Sequence, residues 1–187
     1  MSRVKVIVPP EPAVTLAEAK SHLRVTIDAD DALIELYIAA AQGYLDGPGG
    51  VLGVALQPQT LEGALDAFPS NEIRLPFGPV VSVVSVDYTD PDGAPQVVAS
   101  SNYYLDQFSA EAWIVPYSDY TWPDTMDTAN AVRASWIAGT GTPPTLKAAI
   151  LLLVGHLYAN REAVGAPIHE VPLGVDALIR PWRTVFI

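Results

Sequence analysis

The residues able to do chemistry are few and scattered. Three histidines, His22, His156 and His169, lie far apart in a chain without cysteine, and none forms an H-E-x-x-H pair. Zinc wants nitrogen and sulfur ligands gathered at fixed spacing, and this set does not supply them. His22 reads as a solvated helix residue and His156 as a hydrogen-bonded residue at the edge of a core. Glycine gathers at 47–53 and 139–145, but the first stretch ends a helix, the second enters one, and neither leads into a phosphate-loop lysine. No G-x-S-x-G elbow occurs, and the spacing of the carboxylates singles out no acid and base pair. The missing cysteines remove disulfides, thiolate metal sites and a cysteine nucleophile together. The expectation is a protein that is not an enzyme, with no cofactor and no metal.

Aromatic residues offer more. Tyr117, Tyr120 and Trp122 stand with Asp119 and Asp124 in one loop. Ring faces beside carboxylates could stack on a sugar and take its hydroxyl groups. The same rings could anchor the loop to its own sheet or to a neighbouring subunit, because aromatics are enriched in interface cores. Tyr117, Tyr120 and Trp122 are read here as subunit-interface residues. A second group closes the chain: Leu173, Val175, Leu178, Ile179, Trp182 and Phe186, with Arg180 and Arg183 beside the tryptophan. So much apolar area with a cation-flanked tryptophan has the composition of an interface anchor.

The elements that must carry these groups follow from pattern. Thr15-Leu16-Ala17-Glu18 spells a capping box, so a helix should run to about Arg24. Asp28 to Asp31 place acidic groups at a second helix start, and Leu33, Ile34, Tyr37, Ile38, Ala41 and Leu45 follow at helical spacing. Gly47-Pro48-Gly49-Gly50 must stop it. From Gln57 the character turns to strands, predicted at 60–64, 72–75, 80–89, 96–99, 103–107, 112–115 and 132–138. Val81, Val83, Val86 and Tyr88 do not alternate in one register, which calls for a bulge or two buried faces near Val84. Asp90-Pro91-Asp92-Gly93 is a hairpin turn, and 116–129 a long loop. Prolines 143 and 144 open a last helix to about Glu162, whose apolar side is broad enough to be covered on at least two faces.

The resulting expectation is an α+β fold with a small bundle of three main helices. An antiparallel strand-rich insertion separates the second and third helices, and an extended C-terminal tail follows. Its parts are residues 1–56 (helices), 57–138 (strands), 139–165 (closing helix) and 166–187 (tail), forming one structural unit.

Apolar residues make up 50% of the 187 and charged ones 17%, with a net charge of −11. All the basic residues lie at or before Arg74 or at or after Arg133, so the middle third is purely acidic. Phosphate neutralisation needs clustered Lys and Arg, which disfavours nucleic-acid recognition and docking on anionic membranes. An acidic wall would instead let a duplex pass without sticking. The longest apolar run, 148–155, falls short of the roughly 18 residues of a membrane span. Pro9, Pro10 and Pro12 stand where a signal peptide would need apolar residues, so synthesis in the cytoplasm is expected.

The segment Val132-Arg133-Ala134-Ser135-Trp136-Ile137-Ala138-Gly139-Thr140-Gly141, with the helix Pro144 to Val164 and its Asn160-Arg161-Glu162 ending, resembles the phage head-to-tail connector family. Similar too are Val14 to Lys20, Leu23-Arg24-Val25, Asp30-Asp31, Trp122-Pro123, Pro172 to Ile179 and Pro181-Trp182-Arg183. This resemblance, to proteins of siphophages, prophages and gene transfer agents, implies a virion neck adaptor with a ring of about twelve copies below the portal. It implies as partners the portal, neighbouring copies, a tail-side stopper protein and double-stranded DNA passing through, with no membrane. Leu173, Val175, Leu178, Ile179, Trp182, Arg183 and Phe186 would bind the portal. Competing readings are a carbohydrate-binding module of a phage fibre and, behind it, a hydrolase.

The charge pattern predicts no site-specific duplex binding and negligible affinity near physiological salt. An anisotropy titration showing tight binding that weakens steeply with added salt would contradict it.

Overall fold

A computed structural model describes residues 3–109, 111–160 and 173–183. Its contacts divide the chain into a strand-rich unit, residues 1–11 and 57–140, and a helical unit, residues 12–56 and 141–187. The chain therefore passes from one unit to the other three times.

The helical unit holds α1 (Leu16–Leu23), α2 (Asp31–Leu45), α3 (Pro144–Ala159) and α4 (Leu173–Ile179). The capping box forms as its residues predict: the Glu18 amide donates to Thr15 Oγ1 at 3.2 Å, and the Thr15 amide donates to Glu18 Oε2 at 2.7 Å. The Thr15 amide, followed by the Thr15 hydroxyl, which donates to the same Oε2 at 3.0 Å, holds the Glu18 carboxyl below its usual range. Arg24, at φ 57°, closes α1 in the left-handed conformation. Asp30 makes no side-chain cap on α2, and its carboxylate instead accepts the Tyr158 hydroxyl of α3. Ala19 from α1, Ile34, Ile38, Ala41 and Leu45 from α2, Leu146, Ala149, Ile150 and Val154 from α3, and Val175 and Ile179 from α4 form one buried cluster.

Two features of this unit depart from the pattern-based expectation. A fourth helix stands where an extended tail was expected, because Val175, Leu178 and Ile179 fall at helical spacing and pack on the core that α3 shares. The covered sector of α3 is also narrower than expected: Leu152 is 38% exposed and Leu153 only partly buried.

A buried polar pair closes the end of α2. Gln42 Oε1 accepts the Ala13 amide at 2.7 Å, Asp46 Oδ1 accepts the Leu56 amide at 2.7 Å, and Gln42 Nε2 donates to Asp46 Oδ2 at 3.3 Å. The Gly141 amide then donates to the Leu56 carbonyl at 2.9 Å. Ala13, Leu56 and Gly141 are the residues beside the three passages between units.

The strand-rich unit contains two antiparallel sheets. The larger has the order β1 (Arg3–Val8), β2 (Gln59–Leu65), β8 (Val132–Ala138), β4 (Val80–Thr89), β5 (Pro95–Val97). The smaller runs β3 (Ile73–Leu75), β7 (Ala112–Pro116), β6 (Tyr103–Asp106). All seven strands expected between residues 60 and 138 are present. So is the bulge: Val83 pairs with Trp136 and Ser85 with Ser135, leaving Val84 as the extra residue. Alternation buries Leu61, Val132, Ala134, Trp136, Ala138 and Val86 and turns Arg133 outward. In the β4–β5 turn Gly93 takes φ 85° while Asp90 accepts the amides of Asp92 and Ala94. Gly139 cannot be replaced: a Cβ there would lie 2.2 Å from the Gln57 carbonyl oxygen. β1 is an addition to the expected set. Residues 3–8 were grouped with the helices, yet they pair with β2.

Asp46→Ala would leave the Leu56 amide buried without its acceptor. We expect it to lower stability by about 2 kcal/mol, since an orphaned buried donor costs roughly 1–3 kcal/mol. Urea denaturation with an unchanged midpoint would remove the pair from its structural role.

Candidate functional site

Titratable groups that meet among the described residues do so in ion pairs, as where Lys20 joins Asp28 at 2.8 Å and Asp31 at 2.6 Å. No group of three or more His, Asp or Glu among them could hold a metal ion. His22 and His156 are exposed, and His169 lies outside the described residues. The displaced pKa values belong to structural contacts. The Asn130 amide, followed by Arg3, holds the Asp66 carboxyl below its usual range. Burial, followed by the Asp87 carboxylate, pushes the Tyr103 hydroxyl up. No described helix is long and apolar enough to cross a membrane.

The aromatic loop is tied to its own unit. Trp122 lies nearly parallel on Phe68, with centroids 4.9 Å apart, and meets Tyr120 edge-on at 5.9 Å and Tyr103 of β6 at 6.5 Å. Phe68 touches Tyr88 of β4 at 5.6 Å, so the rings join the larger sheet to the smaller. Trp122 Nε1 donates to the Asn71 carbonyl at 2.6 Å, which satisfies its one donor. Trp122 is thus spent on the chain's own core rather than displayed. A sugar platform needs an open ring face, and Phe68 covers one face of Trp122. Tyr120 is half-buried, and Tyr117, which packs on Tyr104 at 5.4 Å, remains exposed.

The C-terminal candidates divide in the same way. Val175 and Ile179 are fully buried and Leu178 packs against the same core. These residues complete the helical unit. Trp182 follows in a tight helical turn, 180–182, and is 41% exposed beside exposed Arg180. Arg183 pairs with Asp176 at 3.0 Å. The Leu173 side chain and Phe186 lie outside the described residues.

The sequence reading missed one exposed group. Phe108, at the tip of the β6–β7 hairpin, is 100% exposed. Its signal was a large apolar residue inside a polar turn.

Residues 13–89 match the family model described as phage gp6-like head-tail connector protein, which covers α1, α2 and β2 to β4. Among curated proteins, none matches the chain. Three solved structures are similar over nearly the whole length. A chain in the neck of an empty gene transfer agent (GTA) particle, computed with C6 symmetry, has a TM-score of 0.79 at 25% identity, covering 99% of this chain and 97% of that one. One in the virion of the native particle has 0.74 at 26%, covering 98% and 96%. One in the native neck computed with C12 symmetry has 0.72 at 26%, covering 99% and 97%.

If α4 belongs to the core, Ile179→Ala should cost about 3 kcal/mol, within the range for large-to-small core changes, and a chain ending at Pro172 should melt at a clearly lower temperature. A truncated chain with unchanged melting would return α4 to the surface.

Proposed function

We propose that this chain is a structural protein of the neck of a phage-like particle, a head-tail connector whose copies form a ring below the portal. The observation that carries the reading is likeness across both units, not one motif: two neck chains match 99% of the residues and a chain of the native virion 98%. The connector family model independently covers the N-terminal helices and the first strands after them.

The physical character of the chain agrees. A ring subunit needs rigid parts, a surface toward the neighbour on each side and elements reaching the proteins above and below. The fused helices supply rigidity. Trp182, with Arg180 and Arg183, is the exposed anchor that remains for the portal, and Tyr117 is the exposed member of the loop assigned to neighbour contacts. The net charge of −11 suits a passage through which DNA moves without adhering. A tail-side stopper would meet the opposite rim of the ring. In this reading the chain performs no catalysis and acts by binding and shape.

Removing the gene from a producing strain should leave DNA-filled or emptied heads without tails by electron microscopy. Trp182→Ala should keep the fold while weakening co-sedimentation with portal about tenfold or more, the effect of losing an interface anchor. Tailed particles without the protein would overturn the neck reading. Undiminished portal binding by the Trp182 variant would move the portal contact elsewhere on the chain.

A further inference from the structure

We propose that the strand-rich unit joins a second copy head to tail, the Phe108 hairpin of one copy seating in the basic cleft between Arg3, Lys5 and Arg133 of the next. This deepens the ring reading and rests on it.

Phe108 is fully exposed, and described residues of its turn are held by side-chain hydrogen bonds. Asp106 Oδ1 accepts the Phe108 amide at 2.9 Å, Ser109 Oγ donates to the Glu111 carbonyl at 2.6 Å, and Gln107 Nε2 donates to the Val80 carbonyl at 2.6 Å. A phenyl ring held in water forgoes the hydrophobic stabilisation that its burial would bring. Binding a partner recovers it. Around the ring lie Glu72, Asp106 and exposed Tyr104, so the finger is aromatic with an acidic collar.

Its counterpart must be basic at the rim and apolar inside. The strand-rich unit has four basic residues against twelve acidic ones. Arg74 is paired with Glu111 beside the finger. The other three line a single cleft of about 380 Å³ on β1, β2 and β8, with Val4, Ala64, Asn130 and one carboxylate, Glu62. Register explains the gathering: Arg3 stands opposite Ala64, which stands opposite Arg133, across three adjacent strands. Arg3 is shared between Asp66 and Asn130, and Lys5 pairs with Glu62 at 2.7 Å, whereas Arg133 makes no ion pair among the described residues.

A twofold pair would use up the finger and cleft of both copies at once, whereas the ring reading requires the head-to-tail arrangement. Each head-to-tail contact leaves a finger and a cleft free. Such heterologous contacts propagate and close into a ring when the rotation allows. Opposite charge favours this pairing over finger against finger, where acidic collars would repel.

The cysteine-free chain makes the test direct. A variant carrying both Ser109→Cys and Ala64→Cys, mildly oxidised in assembled particles and as concentrated pure protein, should give a ladder of disulfide-linked multimers beyond the dimer. Each single-cysteine variant should stay monomeric. Arg133→Glu should reduce ladder formation at least tenfold, and Glu72→Arg, which reverses a collar charge without touching the hydrogen bond from the Phe108 amide to Asp106, should restore the ladder when added to it. Particles that contain the double-cysteine chain but release only monomer would overturn this contact while leaving the neck reading intact. A ladder from pure protein that never enters particles would keep the contact and sink the neck reading. Cross-linked dimers of the double-cysteine chain without a ladder would mark the twofold pair and overturn the head-to-tail contact. Dimers from Ser109→Cys alone would mean that fingers meet each other, which also overturns the proposal.

Discussion

The fold depends on a buried polar pair at the end of one helix. A chain that begins in the strand-rich unit, enters the helical unit, goes back to complete two sheets and then returns crosses between the units three times, and each crossing carries backbone amides that the core cannot leave unpaired. Gln42 and Asp46 answer two of these demands with the Ala13 and Leu56 amides, and the Leu56 carbonyl answers the third by taking the Gly141 amide. The two side chains stand one helical turn apart, so both face the same way and bond each other. Buried polar groups are costly unless satisfied, and here each is satisfied by a segment whose path it then defines.

The same logic divides the aromatic residues between structure and contact. In the strand-rich unit Trp122 and Phe68 are used internally to join two sheets, and an indole whose donor is already bonded has little left to offer a ligand. Phe108 does the reverse, its ring remaining outside while its amide is held by Asp106. In the helical unit Val175 and Ile179 are structural, and Trp182 remains on the surface. The assembly proposed for this chain would draw on both kinds, rings that hold its own parts and exposed rings open to another chain.

Local patterns made much of this protein legible in its sequence. The capping box at Thr15, the stop at Gly47, the Asp90 to Gly93 turn and the bulge at Val84 are each set by residues within one or two turns of chain, so their sequence determines them. Alternation likewise marked the central strands because one face of each is buried. The missing thiols and the scattered histidines argued against cysteine and zinc chemistry, and the clustering of carboxylates between Arg74 and Arg133 set the charge pattern.

Tertiary structure alone decided which apolar residues were already spoken for. Residues 3–8 become a strand because β2 offers an edge, and an edge strand with most of its side chains exposed carries little pattern of its own. Residues 173–179 fold as a helix against a core that α1, α2 and α3 have first to build, so their spacing gains meaning only when that surface exists. Trp122 turns inward because Phe68, more than fifty residues earlier, presents its ring. The gathering of Arg3 beside Arg133 depends on strand register across the sheet. In each case the deciding contact is distant in the chain, and burial free energy becomes specific only once the partner surface has been placed.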